Sequence, residues 1–436
     1  MRYLVIGSGV AGLGACDAIR ALDASGELIM VSDDPHGYYS RPGLAYYLTG
    51  EMHAKGLFPR SKEDWQKLNL KFVRGRTTRI FPERDMVELA DGAQISYDRL
   101  LIAVGAAAVP LNIPGAELGG VVKLDNMDDA DRILKLARRG KRAVVIGGGI
   151  TALELTEGLR ARKMKIHYLL RGDRYWSNVL DEHESRIIEH RLAEDGIRLH
   201  YHTEAVEILG KRGRVRAVRL SDGRELRCHL VAYAIGVRPR LSLAWQAGLA
   251  AERGILVNEH LQTSIPNIYA AGDVAQVHDP ISGQAVVDSL WGPAREQGYT
   301  AGLNMAGQKT AYVKPVPFNV TRLAGLTTTI IGTVGQGQDT DLVGIARGDS
   351  ETWRELPEAI VAQTGFDVNR LRVLVGEKRL LGAVVMGDQK LSMPLQKMIA
   401  DFADITPIRE QLLQPNASIS DILADFWISW RSRYAA

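Results

Sequence analysis

Apolar positions in this chain come in short unbroken runs, many of them closed by glycine, and seldom in alternation. Residues 3–6 run into Gly7-Ser-Gly-Val-Ala-Gly12 and an alanine-rich stretch through Ala21, and a second apolar run follows at residues 28–31. Continuous runs this short predict strands buried on both faces, and the order strand, glycine turn, helix, strand is the building unit of a parallel sheet. The unit returns at residues 143–152, with Gly147-Gly-Gly-Ile-Thr-Ala152, a helix to about Arg162 and a strand at 166–170. Further strands are predicted at 86–89, at 97–104 ending in Gly105, at 230–235 ending in Gly236, and at 267–273. A turn-rich boundary lies at 112–115. After about Gly307 the texture changes: β-prone runs at 327–331, 371–375 and 380–386 precede a helical tail. The pattern predicts an α/β protein with two strand–turn–helix units and a C-terminal α+β domain of usual size.

Composition narrows the class without naming a chemistry. The 436 residues suggest two to three domains, and 46% hydrophobic with 24% charged residues is ordinary for a globular protein. With 54 basic against 51 acidic residues the net charge is +3, too weak to argue for nucleic acid or an anionic membrane as partner. The basic clusters at 138–142 and 211–219 read as solvated loops. Cys16 and Cys228 are the two cysteines, far apart and outside any CxxC pair, which fits a reducing compartment. Residues 1–5 already run into a strand, leaving no room for a signal peptide, and no apolar stretch reaches membrane-spanning length. A cytoplasmic location is expected. His200 and His202 sit two apart on a predicted strand with no carboxylate or cysteine to complete a site, so no metal is expected.

The glycine turns carry the first chemistry. Gly7, Gly9 and Gly12 follow a strand and open a helix, where amide N–H groups and the helix dipole can hold a pyrophosphate. Gly9 would let the backbone approach the phosphates, and Gly12 would let helix and strand pack closely. The acidic group that binds a ribose hydroxyl is expected at Asp33, with Ser32 and Asp34 on either side. The second turn reads Gly147, Gly149, Ala152, and its next strand ends in Leu169-Leu170-Arg171-Gly172-Asp173-Arg174. A carboxylate there would repel a 2′-phosphate, whereas Arg171 and Arg174 would pair with it, so NADPH is favoured over NADH. The alternative is that both arginines are solvated loop residues. Two dinucleotide sites in one chain suit hydride transfer between a nicotinamide and a flavin.

Four motifs in order, Gly7–Gly12, Leu101-Ile-Ala-Val-Gly105, Gly147–Ala152 and Thr263-Ser-Ile-Pro-Asn-Ile-Tyr-Ala-Ala-Gly-Asp273, resemble those of the FAD-dependent pyridine nucleotide-disulfide oxidoreductases. The resemblance implies an NAD(P)-binding domain inserted in an FAD-binding domain. FAD would be held by residues 1–110 and 237–308, NAD(P)H by 111–236, and residues 309–436 would form an interface domain, which in relatives often pairs two copies. It also implies that Asp273 binds the flavin ribityl chain, with Gly272 and Gly105 close to FAD and Gly236 close to NAD(P)H. The helix following Ser289 would face the flavin pyrimidine, with Trp291 at the flavin, at a docking surface or in the core.

The segment Tyr38-Tyr-Ser-Arg-Pro-Gly-Leu selects a branch. Relatives that reduce disulfides carry a redox cysteine where this chain has Pro42, or a cysteine pair that it lacks. Cys16 reads as a small core residue, so a thiol–disulfide mechanism is not expected. The segment is similar instead to rubredoxin and ferredoxin reductases and to the NAD(P)H-oxidising module of assimilatory nitrite reductases. That resemblance places Arg41 near the flavin. It also puts Tyr46 where many ferredoxin reductases have a lysine beside flavin N5, and Glu154 at the glutamate that pairs with that lysine. The function implied is an FAD-dependent NAD(P)H oxidoreductase serving a small iron or iron–sulfur protein. A quinone, oxygen or nitrite-reductase-like acceptor, or a slow-turnover redox sensor, stays open. In the tail, Phe426, Trp427, Trp430, Arg431, Arg433 and Tyr434 follow Pro415-Asn-Ala-Ser418 and predict a helix with an aromatic stripe, buried on the chain's own body or across a dimer, or else serving with the arginines as a partner interface.

Overall fold

The computed structural model describes residues 1–334, 369–414 and 417–434. The strand Arg2–Ile6 lies at the centre of a five-stranded sheet, with Glu27–Ser32 and Lys71–Arg74 on one side and Arg99–Ile102 and Ile268–Ala270 on the other. Every neighbouring pair is parallel. A second five-stranded parallel sheet has the same plan around Arg142–Ile146, flanked by Lys165–Leu169 and Arg198–His200, and by Leu230–Tyr233 and Val121–Lys123. The chain leaves the first sheet after Arg99–Ile102 and returns to it with Ile268–Ala270, so the second unit is inserted in the first. Its two connecting segments run side by side, Ala106–Ala108 pairing antiparallel with Val237–Pro239.

Covering the first sheet, the helices Val10–Leu22 and Trp291–Met305 pack on small residues. A Cβ on Gly298 would sit 2.0 Å from the Ala11 carbonyl oxygen, which is why the helices can approach so closely. The strand expected at 97–104 is confined to Arg99–Ile102, and residues 103–105 beyond it line a cavity.

Among the described residues, the C-terminal domain holds a four-stranded antiparallel sheet in the order Phe318–Leu323, Leu326–Gly332, Leu380–Met386, Arg370–Val375, covered by helices Ser392–Ala400, Thr406–Leu412 and Ile419–Tyr434. The aromatic stripe packs on the chain's own body: Phe426 and Trp430 are buried in this domain's core, and Trp427 lies with its ring 5.6 Å from that of Trp430. Pro415, Asn416 and the side chains of Arg433 and Tyr434 lie outside the described residues. Among the described residues no helix is long and apolar enough to cross a membrane.

Candidate dinucleotide sites

Each glycine turn opens a cavity at the carboxyl end of its sheet, the place where parallel α/β folds take ligands. The first cavity, about 550 Å³, is lined by the turn at Gly7 and Gly9, by Asp33 and Arg41, and by Gly105, Gly272 and Asp273. Gly7 has φ +114°, and a Cβ there would meet the Ala103 carbonyl oxygen at 2.2 Å, so a side chain is excluded. At Gly9 a Cβ would meet nothing within 4 Å, leaving the backbone bare toward the cavity. Gly9 caps the helix Val10–Leu22 without a side-chain hydrogen bond, so the first-turn N–H groups are left for a ligand. Gly12 is buried where the helix lies over the turn.

The strand ends at Ser32, so Asp33 is the first residue beyond it. Asp33 is exposed to the cavity and has no side-chain hydrogen bond or ion pair among the described residues. Asp34 is engaged already: its carboxylate accepts the His36 N–H at 2.9 Å and the Tyr39 hydroxyl at 3.4 Å. Arg41 is held at the cavity wall by Asp125, whose carbonyl accepts its Nη1 at 3.3 Å. The buried Asp125 carboxylate also faces Lys123 at 3.2 Å and Arg240 at 3.5 Å. Neither Asp125 nor Arg240 had a signal in the sequence, because segments far apart in the chain meet there.

The second cavity, about 620 Å³, is lined by Gly147, Gly149, Thr151, Arg171, Arg174 and Gly236 among others. Gly147 repeats the geometry of Gly7, with φ +139° and the Ala234 carbonyl oxygen 2.1 Å from where a Cβ would be. Ala152 is fully buried behind the turn. Arg171 is exposed and makes no side-chain contact with a carboxylate among the described residues. Arg174 Nη1 pairs with Asp173 at 3.0 Å, and its Nη2 donates to the Ser177 carbonyl at 3.4 Å.

The residues suit the two dinucleotides that the turns imply. Thr151, on the first helical turn at the second cavity, is buried with its Oγ1 unpartnered. Asp288 Oδ2 and Ser289 Oγ are likewise buried and unpartnered, just ahead of the helix Trp291–Met305 that contributes Ala294 to the first cavity. Burial pushes the Asp288 carboxyl up to about 6. Polar atoms left bare in a core cost free energy unless something satisfies them; Thr151 lines the second cavity, where a bound dinucleotide would supply a partner, whereas Asp288 and Ser289 line neither cavity.

Three expected residues lie elsewhere. Trp291 opens its helix but is half-buried and outside the walls of both cavities. Tyr46 and Glu154 also lie outside both walls. Tyr46 is on the helix Gly43–Thr49, and the Arg322 guanidinium from the C-terminal domain stacks 5.4 Å over its ring. Arg322 also pairs with Glu51, Nη1 to Oε2 at 2.7 Å. Glu154 is buried on the neighbouring helix Ile150–Ala161, where burial pushes Glu157 up to about 7 despite the attraction of Arg322. A cation therefore does reach Tyr46, from a strand the sequence does not connect with it.

Both cysteines are buried, and burial pushes the Cys16 thiol far up and that of Cys228 up to about 12. Neither lines the first or the second cavity, so no thiolate is poised for redox work at either. His200 contacts His167, with ring nitrogens 2.9 Å apart, and among the described residues no cluster could hold a metal ion.

The family model of the pyridine nucleotide-disulphide oxidoreductases matches residues 1–298. The chain belongs to this family. With both cavities in place, its fold is that of an FAD-dependent NAD(P)H oxidoreductase. It is 26% identical to an assimilatory nitrate reductase electron transfer subunit of Bacillus subtilis over 96% of this chain and 51% of that one. The chain thus spans about half the length of that relative. It is 27% identical to an NADH-rubredoxin oxidoreductase of Clostridium acetobutylicum, over 91% of this chain and 94% of the relative. A ferredoxin reductase structure from Rhodopseudomonas palustris superposes with a TM-score of 0.80 at 25% identity, covering 96% of this chain and 99% of the other.

Proposed function

We propose that the chain oxidises NADPH in preference to NADH and delivers the electrons, by way of FAD, to a small iron or iron–sulfur protein. The observation that carries the nucleotide preference is positional. Ile6 pairs with Val31 in the first sheet and Ile146 with Leu169 in the second, so Arg171 occupies in the second unit the place that Asp33 holds in the first. An acidic group there accepts from a ribose hydroxyl, while a guanidinium donates to a phosphate.

In this reading FAD lies in the first cavity, its pyrophosphate at Gly7, Gly9 and the helix N-terminus, its ribose at Asp33 and its ribityl chain at Asp273. Arg41 and Gly105 stand beside it, and Gly272 lets the backbone approach. NADPH lies in the second cavity against Gly147, Gly149 and Gly236, with Arg171 and Arg174 on the 2′-phosphate. When bound, FAD supplies the exchange between one hydride taken up and single electrons given out. The chain holds the two dinucleotides in place and keeps its cysteines out of the chemistry. Relatives named as rubredoxin and ferredoxin reductases support a small redox protein as acceptor. The match to half of a nitrate reductase subunit supports, as a second reading, delivery to a domain or subunit of a larger assembly.

The test is reduction of rubredoxin and ferredoxin, each added to the FAD-loaded protein with NADPH under anaerobic conditions. Rapid reduction of either, outpacing that of quinones and oxygen, is expected. Turnover with quinone or oxygen alone would refute the protein acceptor.

A further inference from the structure

The loop at 171–178 walls the second cavity through Arg171, Gly172, Arg174 and residues 176–178, and the chain just beyond it is gripped from the C-terminal domain. Arg372, on the strand Arg370–Val375, donates Nε to Glu184 Oε1 at 2.8 Å and Nη2 to Glu184 Oε2 at 3.0 Å. The same Nη2 donates to the Val179 carbonyl at 2.9 Å, and Nη1 donates to the Val334 carbonyl at 3.0 Å. Next to it, Arg370 Nη2 lies 2.6 Å from Asp181 Oδ2. Asp181 and Glu184 are the N-cap and N3 residues of the helix Glu182–Glu194, each side chain accepting the other's backbone N–H. Two arginines of one domain therefore hold the exit of the loop and the cap of the helix that follows it in another.

The loop needs such holding. Trp176, in its middle and on the cavity wall, has φ +51°, a left-handed conformation that an aromatic residue adopts at a cost. Such a conformation persists only where the surroundings over-determine it. Tyr175 supplies part of this through its N–H to Glu189 Oε1 at 2.7 Å and its carbonyl, which accepts from Ser185 Oγ at 2.7 Å. Those ties come from the loop's own helix and would travel with it. Arg372 is different in kind, because it fixes loop and helix to a separate sheet. Glu184 is fully buried, so its fork with Arg372 has little freedom to shift.

We infer that Arg372 is a positioning residue for the pyridine nucleotide: by holding Val179 and Glu184 it sets where Arg171 and Arg174 stand, and so sets discrimination between NADPH and NADH. This rests on the reading of those two arginines as ligands of the 2′-phosphate. Arg372 touches neither cavity, so its effect must travel through the loop.

The experiment is calorimetric titration of the FAD-loaded protein with NADP+ and with NAD+. The variants are Arg372→Lys and the double substitution Arg372→Met with Glu184→Gln, which removes both charges of the fork together and so leaves no unpaired buried carboxylate to unfold the chain. In the double variant NADP+ affinity should fall about tenfold with NAD+ affinity far less changed and FAD content retained, the scale expected when positioning alone is lost. Arg372→Lys should recover part of the selectivity. An unchanged ratio of the two affinities in a double variant with full FAD content overturns the inference. Wild-type protein that binds NAD+ more tightly overturns the 2′-phosphate reading, and the grip is then upheld only by a comparable loss of NAD+ affinity in the double variant.

Discussion

Arg171 and Asp33 occupy equivalent positions in the two glycine-turn units, each the second residue beyond the one paired to the residue ahead of the turn. Both are exposed to their cavities, and neither is neutralised by a neighbour among the described residues. One fold has been given opposite charges at the point where each would meet a ribose.

Reversing the charge at Arg171 should therefore reverse the preference. Arg171→Glu is expected to lower kcat/KM for NADPH by roughly 10- to 100-fold, the worth of one charge-assisted contact, and to leave NADH within a few-fold. Steady-state kinetics with both nucleotides decide it. Equal losses would mean that Arg171 shapes the loop and reads no phosphate.

The first cavity depends on the close approach of two helices. A methyl group at position 298 would press on the Ala11 carbonyl, so Gly298→Ala must push the helix Trp291–Met305 away from the glycine-turn helix. Overpacking of this kind costs roughly 1–3 kcal/mol. Because Ala11 and Ala294 both line the cavity, FAD content should fall as well. A variant that purifies with full flavin and an unchanged melting temperature would count against this packing.

A buried carboxyl adds a pH dependence. The Asp288 carboxyl is raised by burial from 3.8 to about 6, so the folded chain holds its proton more tightly than the unfolded chain does. The native state then binds more protons between these values, and stability falls as pH rises through that window, by up to roughly 3 kcal/mol. Asp288→Asn removes this penalty. In FAD-free protein the melting temperature of the variant should exceed that of the wild type at pH 8, with roughly half that gap at pH 5 and little of it left at about pH 4. A gap independent of pH would show that Asp288 does not titrate there.

Arg322 joins the C-terminal domain to both the Tyr46 helix and the Glu157 helix. Arg322→Ala leaves Glu51 without its partner and Glu157 without the charge that opposes its burial. Because Glu51 is exposed to solvent, removing Arg322 should cost about 1 kcal/mol, and Arg322→Lys less. Thermal melts of both variants check the order.

Much of this was legible in the sequence because the signals are local. The runs at 86–89 and 380–386 are strands at those bounds, and the turns at Gly7 and Gly147 announce themselves by conformations that other residues adopt poorly. Asp33 and Arg171 follow from counting along a strand. Arg322, Arg372 and Asp125 were not legible. Each is an ordinary charged residue until the fold brings partners from distant segments, and no periodicity encodes that meeting. Trp291 shows the converse: its place at a helix start was readable, but the direction in which the side chain packs depends on the surrounding structure.

The proposed function requires a working path from a pyridine nucleotide to the flavin, with a preference for the phosphorylated form. Rapid anaerobic mixing of the FAD-loaded protein with NADPH, then with NADH, follows it directly through bleaching of the flavin absorbance. Fast bleaching by NADPH, at a rate well above that with NADH at equal concentration, is the result predicted. Bleaching that is slow with both nucleotides, or faster with NADH, would contradict it.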